Sequence, residues 1–220
     1  VPKYIHKSNN RTILLMASLY RFMLNADELD VDMNEIYRYM GAKSGCADAV
    51  TEHAAQEALR EVILGSRPSA VYAVNDIFFG ETGLIDLGFG RFFSRDLSKC
   101  LSECEKAIVF AATIGIHTDR LVARYEAISP LKALASNSAG TALIEAFCDY
   151  LCENLNERFN ELGFESRPRF SAGYGDFPLQ CQIELLKMLK ADKLLGITLN
   201  DSLLMTPAKS VTAVIGLKKA

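Results

Sequence analysis

No stretch of the 220-residue chain is apolar over the roughly 18 to 20 residues that a bilayer-spanning helix requires. Thr12 to Met23 comes nearest to a secretion leader, because it follows basic residues. Tyr20 and Arg21 interrupt it, however, and no small-residue cleavage site follows, so a cytoplasmic chain is expected. Runs of lysine or arginine long enough to track a phosphate backbone are also missing. With 24 basic against 27 acidic residues and a formal charge of -3, nucleic acid is not an expected partner. The six cysteines contain no C-x-x-C pair. Cys100 and Cys104 stand four apart, as do Cys148 and Cys152, while Cys46 and Cys181 stand alone. A spacing of four puts two thiols on one helix face, where cysteine packs as a small hydrophobe, so free, largely buried thiols are expected rather than disulfides or a zinc site. His6, His53 and His117 have no second ligand at helical spacing, and His117 is expected to serve the turn between a buried strand and a helix. A hydrolase triad, a P-loop, a dinucleotide fingerprint and a two-histidine metal motif are absent, as are internal repeats and low-complexity segments. An enzyme of one of those kinds therefore finds no motif support in this chain.

The chain does have enough apolar residues for one sizeable core. Half of its residues are hydrophobic and 23% are charged, an ordinary globular balance. Asp32 followed by Glu35 reads as a capping box for a short helix through Met40 that Gly41 stops. Ala47 to Ile63 has apolar residues at helical spacing, ended by Gly65 and Pro68. Ala70 to Phe79 alternates and predicts a strand, Gly80 to Phe93 a hairpin or irregular loop, and Ser94 to Cys104 a helix. Ala107 to Thr113 is apolar throughout, as a central strand is. The helical period returns over Asp119 to Tyr125 and over Leu131 to Leu162, the second broken only by Gly140, which would permit close helix packing. Leu179 to Lys190 predicts another helix, and Ser202 to Met205 and Ser210 to Leu217 read as a hairpin joined by T-P-A-K. Strands and helices do not alternate strictly. The expected class is α+β, an antiparallel or mixed twisted sheet with packed helices. The one candidate boundary lies at Gly65 to Pro68, dividing a helical N-terminal extension, 1–66, from a sheet-containing core, 67–220, within what reads as one structural domain.

The segment R-F-S-A-G-Y-G-D-F-P, from Arg169 to Pro178, combines features that packing alone does not require. The Arg169 guanidinium offers a planar fork for a carboxylate or phosphate. Gly173 and Gly175, on either side of Tyr174, allow backbone angles or close approaches that a β-carbon forbids. Glycines around an aromatic also make ordinary turns, so the surrounding sequence decides. It reads A-A-T-I-G-I-H-T-D-R at 111 to 120, S-P-L-K-A-L at 129 to 134, I-E-A-F-C-D-Y at 144 to 150, and S-L-L-M-T-P-A-K-S-V-T-A-V-I-G-L at 202 to 217.

In that order these segments resemble the activation domain of vitamin B12-dependent methionine synthase, and most of all its free-standing activation subunits. The resemblance runs from about Ile108 to Leu217, roughly half the chain, and is loose before that. It implies a fold that binds S-adenosylmethionine and presents it to cobalamin in the inactive cob(II) state, so that reductive methylation restores the methylated cofactor. By this resemblance Arg169 would hold the methionyl carboxylate, and Tyr174 would lie next to the ligand. Gly173, Gly175 and Asp176 would form the loop around it, and Glu145 would accept from the amino group or a bridging water. The D-x-H-x-x-G pattern by which many corrinoid proteins ligate cobalt is absent. Cobalamin would therefore sit on a partner, either a methionine synthase chain or another corrinoid protein. Lys187, Lys190 and Lys193 would offer a patch for a flavodoxin-like reductant, or only a solvated helix face. Two departures from the family stand out. Nothing matches its early D-W-T-P-F-F segment, V-N-D-I-F-F around Asp76 being only faintly similar, and Val214 and Ile215 replace an aromatic pair near the end. Two other readings stay open. One is a non-catalytic corrinoid-protein interaction module that has lost the ligand. The other is an unrelated small-molecule transferase with Arg169 and Lys209 as an anion clamp and Asp176 or Glu145 as base.

Overall fold

A computed structural model describes residues 18–42 and 47–220 of the chain; His6, Cys46 and the first half of the Thr12 to Met23 stretch lie outside the described residues. In chain order it contains β1 (Tyr20–Met23), α1 (Met33–Tyr39), α2 (Ala49–Gly65), β2 (Ser69–Asp76), β3 (Phe78–Phe79), β4 (Leu84–Asp86), β5 (Arg91–Phe93) and α3 (Arg95–Cys100). There follow β6 (Cys104–Thr113), α4 (His117–Glu126), α5 (Pro130–Asn160), β7 (Phe164–Ser166), α6 (Cys181–Met188), α7 (Ala191–Leu195), β8 (Thr198–Leu199), β9 (Met205–Thr206) and β10 (Ser210–Lys219).

The main sheet is ordered β1-β2-β6-β10-β7, every pair antiparallel. β6 sits at its centre because Ala107 to Ala112 are apolar on both faces and need cover on both. Successive residues of a strand point to opposite sides. Tyr72, Ile108, Phe110, Ala213 and Ile215 accordingly enter one core with α1, α2, α4 and α5. Val71, Ala73, Val109, Ala111 and Val214 enter a second core with α3, α6, α7 and the small β3–β4–β5 sheet. The class is α+β with a wholly antiparallel main sheet, in agreement with the sequence reading.

The long helix α5 spans 31 residues, about 46 Å. Ser129 caps it by accepting from Lys132 N–H, and Pro130 occupies its first turn. Ala135, Ala139, Leu143, Phe147, Leu151, Leu155 and Phe159, four apart, form its buried stripe. Gly140 lets α4 come close, as its sequence context foretold, since a β-carbon there would overlap Thr118 Cγ2.

Five expectations change. Ser202–Met205 and Ser210–Leu217 do not pair with each other: β9 pairs with β8, while β10 inserts between β6 and β7. The physical reason is that Ala213, Val214 and Ile215 need cover on both faces, which only the middle of the main sheet provides. The strand expected over Ala70 to Phe79 breaks at Ile77, and Phe78–Phe79 pair with β4 in the small sheet. The helix expected to Cys104 stops at Cys100, and Glu103 at φ 65° turns the chain into β6. Asp32 caps α1 through Asn34 N–H, but Glu35 pairs with Arg38 instead of completing a box. The stretch before Gly65 carries more than helices, because β1 pairs with β2 as an edge strand.

Candidate functional site

Beyond β7 the chain stays beside β10. Arg167 N–H donates to Gly216 O (2.8 Å), and Phe170 and Val214 exchange a pair of backbone bonds (2.8 and 2.9 Å). Directly opposed residues of an antiparallel pair share a sheet face. Phe170 thus follows Val214 toward the second core, and Arg169 falls on the opposite side, against α5. There its Nη2 donates to Glu145 Oε2 at 2.7 Å and to Asp149 Oδ1 at 3.0 Å. Glu145 and Asp149 are four residues apart, one turn of α5. Burial works to lower the Arg169 pKa, but neighbouring Cys148 and the two carboxylates outweigh it, so the guanidinium is held above its ordinary value. Cys148 is pushed well up by burial and Cys152 to about 11, which leaves both thiols inert beside the pair. Cys100, Cys104, Cys148, Cys152 and Cys181 are all free.

After Phe170 the sheet edge gives way to a tight double turn. Tyr174 N–H donates to Ser171 O, Phe177 N–H to Tyr174 O and Gly173 N–H to Phe177 O. Gly173 (φ 90°) and Gly175 (φ 51°) supply the left-handed backbone this requires, and a β-carbon on Gly175 would overlap the Asp96 carboxylate. Phe177 anchors the loop from inside, fully buried and stacked on Phe92 at 5.0 Å. Tyr174 stays outside, 72% exposed, its ring edge-on to Phe170 at 6.3 Å.

Asp176 closes the loop, and its side chain turns to α3. Its Oδ1 accepts from Ser94 Oγ (2.6 Å) and Asp96 N–H (3.1 Å), and its Oδ2 accepts from Arg95 N–H (2.8 Å). These bonds, the Ser94 hydroxyl first, hold its carboxyl below the usual range. Asp96 answers by accepting from Asp176 N–H at 3.2 Å. The carboxylate thus ties the loop to the first turn of α3.

Two hollows flank this edge. One, of about 490 Å³, is lined by Asp96, Lys99, Cys100, Phe170, Tyr174 and Gly175. The other, of about 530 Å³, lies between α1 and α5, with Glu145, Asp149, Tyr39 and Tyr150 in its wall. The structure therefore joins Arg169 to Glu145, places Gly173, Tyr174 and Gly175 at an open edge, and commits Asp176 to the scaffold. Sequence reasoning missed Asp149, although it lies in the I-E-A-F-C-D-Y segment and its spacing from Glu145 was the available signal. Further up the same helix Lys209 Nζ donates to Asn137 Oδ1 (2.8 Å) and Thr141 Oγ1 (2.9 Å), with its pKa lowered by burial. Asp76 pairs with Lys106 across β2 and β6, and Val214 and Ile215 are core residues. His117 packs its ring over Gly65 and meets Glu61 O at 3.1 Å, joining α4 to α2. Lys187, Lys190 and Lys193 are exposed, with Lys187 paired to Glu184. Among the described residues no group of three or more His, Cys, Asp or Glu is placed to hold a metal ion, and no helix is long and apolar enough to cross a membrane.

No protein-family model matches the sequence, and no curated protein sequence matches it. Among solved structures, one of the MetH reactivation domain bound to AdoHcy superposes on this chain with a TM-score of 0.66 and 16% sequence identity. The match covers 92% of this chain and 79% of that one, reaching well before the segments that carry the motif resemblance. At that identity the likeness shows the fold.

Proposed function

We propose that this chain binds S-adenosylmethionine at the edge formed by Arg169, Glu145 and the Gly173–Asp176 loop, and presents it to cobalamin held by another chain for reductive methylation of the cob(II) state. The observation that carries the reading is the Arg169–Glu145 pair beside an open loop bearing Tyr174. The fold is shared with a reactivation domain whose own structure contains AdoHcy. The residues fit such a ligand: a guanidinium for its carboxylate, carboxylates for its ammonium, and the Phe170 and Tyr174 rings for a flat base. The chemistry would belong to the ligand's methyl sulfonium and the partner's reduced corrinoid, a cofactor arrangement in which the protein supplies binding and orientation. Tyr174 at 72% exposure leaves this edge open for a corrinoid protein to dock, with a methionine synthase chain as the favoured partner.

The transferase alternative loses one of its two candidate bases. The Asp176 pKa is shifted downward and its oxygens are engaged by α3, which leaves Glu145, itself bonded to Arg169. Calorimetric titration of S-adenosylmethionine into the purified chain tests the proposal. Saturable binding to the wild type is expected, weakened about tenfold or more in Arg169→Ala, as loss of a half-buried charge-assisted contact implies. Binding to a corrinoid protein without any dependence on S-adenosylmethionine would favour the interaction-module reading instead.

A further inference from the structure

We infer that Asp149 is a specificity-determining residue of this edge, making it favour a ligand of net positive charge, so that the methyl donor binds more tightly than its demethylated product. The inference rests on the S-adenosylmethionine reading. Arg169 contributes one positive charge, and the two carboxylates bonded to it contribute two negative ones, so the cluster carries a surplus negative charge. A sulfonium amino acid carries a net charge of plus one at neutral pH, whereas the thioether left after methyl loss is neutral overall.

The geometry identifies the surplus carboxylate. Each of the two flat, two-donor edges of a guanidinium includes Nη2, and here Glu145 and Asp149 both lie on Nη2. A ligand carboxylate seeking either edge must displace one of them. Asp149 has the longer bond, 3.0 against 2.7 Å, and the more exposed side chain, 66% against 43%. It is the one that yields, and once freed its charge faces the ligand's cationic portion. The other carboxylates of the adjoining hollow, Asp30, Asp32, Glu35 and Glu153, have the same sign and do not cancel it. For a unit charge about 6 Å from a sulfonium in a water-like dielectric, the effect is about threefold in affinity, and it grows as water is excluded.

The test compares dissociation constants for S-adenosylmethionine and S-adenosylhomocysteine in the wild type, Asp149→Asn, Asp149→Glu and Asp192→Asn, the last removing one exposed charge on α7. We expect the wild type to favour the sulfonium and Asp149→Asn to reduce that preference by about threefold or more. Asp149→Glu, which keeps the charge, and Asp192→Asn should retain it. An unchanged ratio in Asp149→Asn overturns the inference while leaving the ligand reading intact. Failure of the wild type to bind either compound overturns both. Because the readout is a ratio of two ligands on one variant, partial unfolding cannot imitate the expected result.

Discussion

Asp176 accepts hydrogen bonds from the Ser94 hydroxyl and from the Arg95 and Asp96 amides, so its ionised form stabilises both the Gly173–Asp176 loop and the start of α3. The folded carboxyl is depressed below its ordinary value. Its contribution is therefore fully present above the unfolded pKa of about 4 and is lost as pH falls through the lower folded value. Asp176→Asn should melt a few degrees below the wild type at neutral pH, with the gap closing in acid. Thermal unfolding of both proteins across pH would show it, and a gap independent of pH would contradict the linkage. The same substitution should loosen Tyr174 without touching the Arg169–Glu145 bond, since Asp176 is tied to α3 and Arg169 to α5.

Helices α4 and α5 meet where Gly140 faces Thr118 and the stem of Lys209. Alanine at 140 would gain about 1 kcal/mol of intrinsic helix propensity. Against this, its methyl group would overlap Thr118 Cγ2, and overpacking of this kind costs about 1–3 kcal/mol. Gly140→Ala is therefore expected to be neutral to destabilising by about 2 kcal/mol in urea unfolding, despite its favourable propensity. Thr118→Ala should relieve it, because it removes the colliding methyl and a buried hydroxyl that has no hydrogen-bond partner. The double variant should be more stable than the sum of the single effects predicts, as coupling between touching residues requires. Gly65 and His117 form a second contact of this kind, between α2 and α4.

Across the whole molecule, stability concentrates in the central strands. β6 and β10 are paired on both sides and buried on both faces, whereas the small sheet exposes Phe78 and Phe93 and β8–β9 is a two-residue ladder. Amides of β6 and β10 should exchange with solvent slowest, and those of β3–β5, β8 and β9 well before them; hydrogen exchange read by mass spectrometry distinguishes this from uniform protection. The same contrast explains what could be read from the chain alone. The apolar run at Ala107 to Thr113, the long helical period after Pro130 and the non-alternating order of elements were enough for an α+β fold with a buried central strand, because burial and backbone period are local properties of sequence. Arg169 and the glycines around Tyr174 stood out for a similar reason, because their residue types already carry a chemistry, whereas Glu145 was singled out only through the resemblance carried by I-E-A-F-C-D-Y. Spacing could place Asp149 on the same face of α5 as Glu145 but could not say that Arg169 would meet them both there. Nor could it show that Asp176 would turn to α3, or that β10 would leave its neighbour in sequence for a place between β6 and β7. Those outcomes depend on which distant surfaces compete for the same partner, and only the assembled tertiary structure settles that competition, because the winning contact is the one that leaves the fewest polar groups unpaired and the most apolar surface covered.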